Sequence, residues 1–309
     1  MTPRAWRAFQ WIAITAVLVF VGLRVQEQWA ELSVFPFPDS LNWPFLGASA
    51  ACVATSYAVL IWTWQRTVLA WGERLAFGAA ARIWFVSNLG RYIPGKVWQI
   101  GAMGVMAQQE GVSPVAAVGS SLVISLINVL TGIAVAVVCG AGDLGAPRWA
   151  YVGIGISTAL VVGAPWLLPV LAKAATTILR RPIELPRLPL SAIWIAAAGC
   201  TVAWLLYGIA FCFLHAAVLG EPTGDVLRST AAFTGSYIAG FLFLLAPGGI
   251  GVREDVLYRL MGQLGLATGG AAWIVVFASR VWLTLIEVTP GLLLLLLHRG
   301  RSKPLTTQT

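Results

Sequence analysis

The chain has 309 residues, of which 59% are hydrophobic and only 10% are charged. Because soluble domains carry about 25% charged residues, this composition excludes an ordinary water-facing globular protein. The net charge of +8 would also suit a nucleic-acid-binding protein. Most basic residues, however, lie in short segments between apolar runs, where such residues set membrane topology. Continuous apolar runs such as residues 292–297 favour helices over a β-barrel. We predict an all-α polytopic membrane protein without a nucleic-acid partner.

Six apolar segments are long enough for a helix to cross a bilayer, which takes about 20 residues. They lie at about 5–23, 43–65, 114–140, 149–171, 191–219 and 270–297. An alternative for residues 1–30 is a signal peptide, but the long apolar stretch and the poor cleavage region around Glu27 and Trp29 favour a span.

Two further apolar regions, 76–112 and 229–268, are interrupted in the middle by Pro-Gly. Proline removes a backbone donor and clashes with the preceding turn, and glycine frees the backbone. Pro94-Gly95 and Pro247-Gly248 are therefore predicted to divide each region into two half-helices.

Basic residues concentrate in four segments, at 1–7, 66–82, 172–190 and 299–303. The positive-inside rule places these segments, and with them both termini, in the cytoplasm of a multi-pass plasma-membrane protein. Six spans satisfy this arrangement only if both Pro-Gly regions return to the side from which they enter. They are then re-entrant hairpins, which gives eight membrane-inserted elements in total. Non-helical backbone at that depth requires burial in protein or a wet cavity.

The order of these elements repeats. Half-repeats at about 1–140 and 149–297 each read span, link, span, hairpin, span, and the first begins inside whereas the second begins outside. This order is typical of an inverted-topology repeat, which places substrate between broken elements near the midplane. We therefore predict one transmembrane domain over residues 1–299, followed by a disordered tail at 300–309.

Two segments carry a family resemblance. Residues 87–98 read SNLGRYIPGKVW, and residues 246–254 read APGGIGVRE. They resemble the GRYxPGKVW and PGGxGxRE motifs of the lysylphosphatidylglycerol-synthase transmembrane (flippase-like) family, and Arg280 sits where that family commonly has an arginine. The resemblance implies a multi-spanning domain that translocates lipid. Larger members add a soluble aminoacyl-transferase domain; we expect none here, and therefore no synthase activity.

The sequence departs from the family at one place. Many members carry an E-R-x-x-D pattern in the span after the first hairpin. The corresponding positions here are Ile124, Ser125 and Asn128. If that pattern lines the lipid path, substrate or coupling differs in this protein.

Charged side chains at bilayer depth cost several kcal/mol unless they are paired or hydrated, so each is a functional candidate. The charged residues expected at that depth are Arg91, Lys96, Arg253, Glu254, Asp255, Arg259, Arg280 and Glu287. Each half-helix that begins after a Pro-Gly break offers free N–H groups and a positive dipole end to an anion. Arginine and lysine donors suit phosphate oxygens. The predicted substrate-binding residues are Arg91, Tyr92, Gly95, Lys96, Gly248, Gly249, Gly251, Arg253, Glu254, Arg280 and Glu287.

Within that set, Arg91, Lys96, Arg253 and Arg280 are the expected phosphate ligands. Glu254 and Glu287 are expected to orient the arginines. The alternative is a purely structural network in which Arg253 pairs with Glu287 and Arg280 pairs with Glu254.

Three functions remain open at this point. The first is a translocase for a phospholipid or a polyprenyl-phosphate-linked lipid, with an anionic membrane lipid as its partner. The second is an accessory protein that binds anionic lipid, or a membrane glycosyltransferase or other lipid-synthesis enzyme, without transport. The third is a membrane-embedded transferase. Because no catalytic motif such as GxSxG, HExxH or a Walker loop is present, we expect no enzyme activity, no metal and no cofactor.

Overall fold

The computed structural model describes residues 41–92, 97–143, 152–160, 162–163, 188–220, 225–243 and 249–299. For residues 91, 92, 97, 98, 298 and 299 it describes the backbone alone. Within these ranges the regular structure is entirely helical. The predicted tail at 300–309 and the predicted first span at 5–23 lie outside them, as does about half of the predicted span at 149–171, of which residues 152–160 and 162–163 are helical.

The main helices are α1 (Trp43–Ala70), α2 (Phe77–Asn88), α3 (Val97–Gln109), α4 (Pro114–Gly140), α5 (Leu190–Leu219), α6 (Val226–Leu242), α7 (Val252–Gln263) and α8 (Gly269–Arg299). A 3₁₀ turn, Leu89–Tyr92, extends α2. Local chemistry sets several of these ends. The Asn42 side chain accepts a hydrogen bond from the Phe45 N–H at the start of α1, and Asp225 accepts one from the Arg228 N–H at the start of α6. Gly220, with a φ of 80°, ends α5.

Four of these helices, α1, α4, α5 and α8, are long and apolar enough to cross a membrane. They coincide with the predicted spans at 43–65, 114–140, 191–219 and 270–297, so the all-helical class is confirmed within the described residues, and these four segments are confirmed as candidate spans. The agreement has a simple cause. The thickness of the hydrocarbon core sets the length of a span, and that length is visible as an uninterrupted apolar run.

Helices α1 and α5 pack closely along their lengths and form the centre of the described structure. Ser49 Oγ donates to the Ala210 carbonyl (2.8 Å), and Ser56 Oγ donates to the Ala203 carbonyl (3.1 Å). Gly199 lies directly against the Thr63 side chain. Small and hydroxyl-bearing residues allow such close approach, which is the usual way in which membrane helices associate.

Both Pro-Gly regions are interrupted where the sequence predicts. Helix α2 ends at Asn88 and α3 begins at Val97, whereas α6 ends at Leu242 and α7 begins at Val252. Pro94, Gly95, Pro247 and Gly248 themselves lie outside the described residues. Each pair of short helices is followed by a long one, so the order long, short, short, long occurs twice.

The short pairs pack around α4 and α8. Helix α4 contacts both α3 and α6, and α8 contacts both α2 and α7. The two interrupted regions are therefore neighbours of the same two long helices.

Candidate functional site

A cavity of about 320 Å³ lies between the two interrupted regions. The first region lines it from α2 and α3, the second from α6, α7 and the turn before α7, and α1, α4, α5 and α8 complete the wall. Its polar lining residues are Tyr57, Asn88, Gln99, Ser121, Ser125, Asn128, Tyr207, Tyr237, Arg253, Arg280, Thr284 and Glu287.

Arg253 is the most deeply placed cation of this cavity. It lies in the first turn of α7 and is only 6% exposed. Its guanidinium lies over the rings of Phe233 and Tyr237, with the Cζ atom 5.1 Å and 4.9 Å from the ring centroids. Its Nη2 atom has no hydrogen-bond partner, and Arg253 forms no ion pair, within the described ranges. Aromatic faces thus take the place of a carboxylate.

The alternative in which Arg253 pairs with Glu287 is therefore wrong for the described structure. Glu287 lines the same cavity and is buried. The aromatic side chains of α6 hold the Arg253 guanidinium instead, a contact that spacing along the sequence does not reveal.

Glu254 fixes the start of α7. Its Oε2 atom accepts a hydrogen bond from the Gly251 N–H (2.6 Å), and its Oε1 atom lies 3.5 Å from Arg280 Nε. The expected pair between Arg280 and Glu254 is thus present. Gly251, with a φ of 88°, supplies the backbone conformation that the turn into α7 requires. The neighbouring carboxylate, Asp255, turns away and binds Arg259, whose side chain is 65% exposed.

Gly249 lines the cavity, where its close approach to a headgroup stays a prediction, and it also packs against α6. It has a φ of 69°, and a Cβ added there would lie 2.7–2.9 Å from backbone atoms of Gly240. The turn before α7 therefore packs backbone against backbone on α6. Gly240 in turn lies beneath Arg253, whose Cβ would be 2.8 Å from a Cβ at Gly240. Two glycines thus let α7 come close enough to α6 for Arg253 to reach the aromatic rings.

Asn88 and Gln99 bridge the break in the first interrupted region. Gln99 Nε2 donates to Asn88 Oδ1 (2.5 Å), which links the end of α2 to the first turn of α3. Asn88 is 2% exposed, and its Nδ2 atom has no hydrogen-bond partner among the described residues. The sequence marks both residues only as polar groups in apolar surroundings, which suggests inter-helix hydrogen bonding but not a cavity.

Helix α4 contributes a neutral wall. Ile124, Ser125 and Asn128 all line the cavity. The Ser125 hydroxyl donates to the Ser121 carbonyl (2.8 Å), and Trp204 Nε1 donates to the Asn128 carbonyl (2.9 Å). Helix α4 contains no charged residue, so this wall of the cavity is neutral.

The predicted site residues fall into two groups. Gly249, Arg253, Arg280 and Glu287 line one cavity, and Gly251 and Glu254 lie beside it. Gly95, Lys96, Gly248 and the side chains of Arg91 and Tyr92 lie outside the described residues, and their roles stay predictions.

The cavity reaches the outer surface of the helical bundle. Three apolar residues that line it are also well exposed: Ile100 on α3 (40%), Leu122 on α4 (56%) and Phe241 on α6 (43%). An apolar rim of this kind suits contact with lipid chains rather than with water. Among the described residues, no group of three or more His, Cys, Asp or Glu side chains is placed to hold a metal ion.

Comparison with protein-family models, with curated proteins and with solved structures gave no match. The chemistry and accessibility of this cavity are therefore what points to a function.

Proposed function

We propose that this protein is a flippase-like lipid translocase that binds the anionic headgroup of a membrane lipid in the cavity between its two interrupted regions. The buried Arg253 guanidinium is the observation that carries the proposal. It faces the cavity with a free Nη2 donor and no carboxylate partner within the described ranges. A buried charge is costly unless it is paired and hydrogen-bonded, and a phosphate oxygen would provide both.

The balance of charge in the cavity also suits an anion. Its charged lining residues within the described structure are two arginines, Arg253 and Arg280, and one glutamate, Glu287. Because Glu254, beside the cavity, forms an ion pair with Arg280, Arg253 is the lining arginine that would bind the single negative charge of a phosphodiester. Arginine is suited to this task because its planar guanidinium binds phosphate through two parallel hydrogen bonds. Arg91 and Lys96 remain predicted additional ligands.

The apolar rim supports lipid, rather than a soluble anion, as the substrate. A lipid headgroup is able to occupy the polar cavity while its acyl chains pass Ile100, Leu122 and Phe241 and stay in the hydrocarbon layer. A water-soluble phosphate has no apolar part that would contact such a rim. The proposed substrate is accordingly a phospholipid or a polyprenyl-phosphate-linked lipid.

The proposed topology has six spans, two re-entrant hairpins and an inverted repeat, with both termini cytoplasmic at the plasma membrane. The order long, short, short, long, found twice in the described helices, supports it. So does the meeting of both interrupted regions at one cavity, since inverted repeats place their substrate between two broken elements.

The test is lipid movement by the purified protein in phosphatidylcholine vesicles that contain a trace of phosphatidylglycerol whose acyl chain carries a fluorophore that dithionite reduces. Dithionite added outside the vesicles quenches the fluorophores of the outer leaflet at once. It reaches those of the inner leaflet only if the protein moves the labelled lipid to the outer leaflet. We expect wild type to expose the inner-leaflet label and Arg253→Gln to leave it protected. Arg259→Gln is the matched control, because Arg259 lies on the same helix but is largely exposed and pairs with Asp255. Equal movement by Arg253→Gln and wild type would refute the proposed site.

A non-transporting accessory protein is the second candidate, and the ion pair between Arg280 and Glu254 favours it. That pair holds part of the centre in an internally neutralised state, as expected of a static binding site. An accessory protein would bind phosphatidylglycerol in an Arg253-dependent manner but leave the inner-leaflet label protected in wild-type vesicles.

A further inference from the structure

We infer that the cavity selects a phosphodiester lipid whose headgroup carries neutral hydroxyl groups, as a polyol or a sugar does, over one whose headgroup ends in an amine. This inference rests on the lipid binding proposed above and names the substrate class of the same cavity. The groups that support it are uncharged and polar, and they line the cavity from α2, α3 and α4.

Asn88 offers a buried donor to a ligand in this cavity. Its side chain is 2% exposed and lines the cavity, and its Nδ2 donor has no partner among the described residues. Buried polar groups are almost always hydrogen-bonded, and a buried donor left unsatisfied is costly. We therefore expect Asn88 Nδ2 to donate a hydrogen bond to an acceptor atom of the ligand. Arg253 Nη2 is a second buried donor of this kind, so the ligand should present acceptors to both groups.

Asn88 and Gln99 share one hydrogen bond between their side-chain amides. Because Gln99 Nε2 donates to Asn88 Oδ1, the pair still carries one amide donor, on Asn88, and one carbonyl acceptor, on Gln99. If the nitrogen and oxygen of both side-chain amides are exchanged, the pair still offers the ligand one donor and one acceptor. A hydroxyl group both accepts and donates, so it matches the pair. An ammonium group only donates and would leave the buried amide donor unsatisfied.

Helix α4 lines the cavity with Ser125 and Asn128 and carries no charge. The Ser125 hydroxyl proton is already donated to the Ser121 carbonyl, which leaves its oxygen as an acceptor for a hydroxyl. The α4 wall therefore offers an acceptor to a hydroxyl-bearing headgroup but no carboxylate to pair with an ammonium group.

The size of the cavity sets a limit on the headgroup. Its volume of about 320 Å³ is at the lower end of the roughly 300–1,000 Å³ of ligand pockets. The described cavity therefore suits a phosphate with one polyol or one sugar, rather than a longer chain of sugars.

The experiment measures binding of three lipids to the full-length protein in phosphatidylcholine nanodiscs: phosphatidylinositol, phosphatidylethanolamine and phosphatidic acid. They present a polyol, an amine and a bare phosphate, respectively. Wild type is expected to bind phosphatidylinositol more tightly than either of the others. Asn88→Leu is expected to reduce the preference for phosphatidylinositol over phosphatidic acid about fivefold, the effect of one lost hydrogen bond.

Gln99→Leu removes the acceptor side of the pair from a different helix and should reduce the same preference. Thr55→Val is the control, because Thr55 lies on the exposed face of α1 and bonds only its own helix, at the Ala51 carbonyl. If neither substituted protein is monodisperse, the wild-type preference for phosphatidylinositol over phosphatidylethanolamine decides alone.

Equal binding of phosphatidylinositol and phosphatidylethanolamine by wild type would overturn the inference, as would an unchanged preference in folded Asn88→Leu and Gln99→Leu. If phosphatidic acid still binds in an Arg253-dependent manner in either case, the proposed lipid-binding function stands without it. If wild type binds none of the three lipids, both proposals fail together.

Discussion

Replacing Gly249 with alanine should disturb the cavity more than its small size suggests. Gly249 has a positive φ of 69°, and its added Cβ would lie 2.7–2.9 Å from the O, C and Cα atoms of Gly240. Because these are backbone atoms, they cannot rotate away as a side chain would. The turn before α7 must therefore shift, and Arg253, in the first turn of α7, must shift with it.

Two costs combine in this substitution. Forcing an L-residue into the left-handed region costs about 1–2 kcal/mol, and overpacking a close contact costs about 1–3 kcal/mol. Gly249→Ala should therefore lower the free energy of unfolding by about 2–5 kcal/mol. Alanine substitutions at two other glycines distinguish these two costs. Gly72 also has a positive φ (85°) but has open space around its Cβ position, and Gly47 lies inside α1 with open space.

The assay is equilibrium unfolding in mixed micelles at increasing SDS fraction, followed by helix content. Gly72→Ala should lose only the backbone cost of about 1–2 kcal/mol. Gly47→Ala should be neutral or gain up to about 1 kcal/mol, because alanine is the better helix former. Gly249→Ala should also bind phosphatidic acid more weakly than Gly72→Ala does. If Gly249→Ala and Gly72→Ala lose the same free energy, the contact with Gly240 does not constrain this turn.

Two further substitutions test the contacts that position the helices. Ser49→Ala removes the donor to the Ala210 carbonyl and the acceptor for Trp282 Nε1 (3.1 Å). It should therefore lower the free energy of unfolding in the same SDS titration by about 1–3 kcal/mol. An unchanged free energy of unfolding would show that these bonds are not maintained in a membrane-like environment. Glu254→Gln keeps an acceptor for the Gly251 N–H but removes the carboxylate beside Arg280. It should therefore raise the affinity for phosphatidic acid, and a fall in affinity in the nanodisc binding measurement would show that Glu254 supports the headgroup site instead of competing with it.

The membrane class, the four described spans and the two interruptions follow from the sequence alone. A bilayer of fixed thickness demands about 20 apolar residues for each span, and segments such as 114–140 and 270–297 display that length directly. The breaks at Pro-Gly are equally local, since they depend on a missing donor and a freed backbone at the same two positions. The candidate arginines could also be predicted, because charge within apolar segments is rare and costly.

The partners of those residues depend on which helix faces which, and only the tertiary structure decides that. Arg253 could not be assigned to the rings of Phe233 and Tyr237 from spacing, since a carboxylate in the sequence, Glu287, was an equally good partner. The role of Gly249 likewise depends on the backbone of another helix. Asn88 and Gln99 became candidates only when the fold placed them in the lining of the same cavity as Arg253. The membrane acts on each segment separately, so span length and breaks are local properties, whereas a binding cavity exists only between segments.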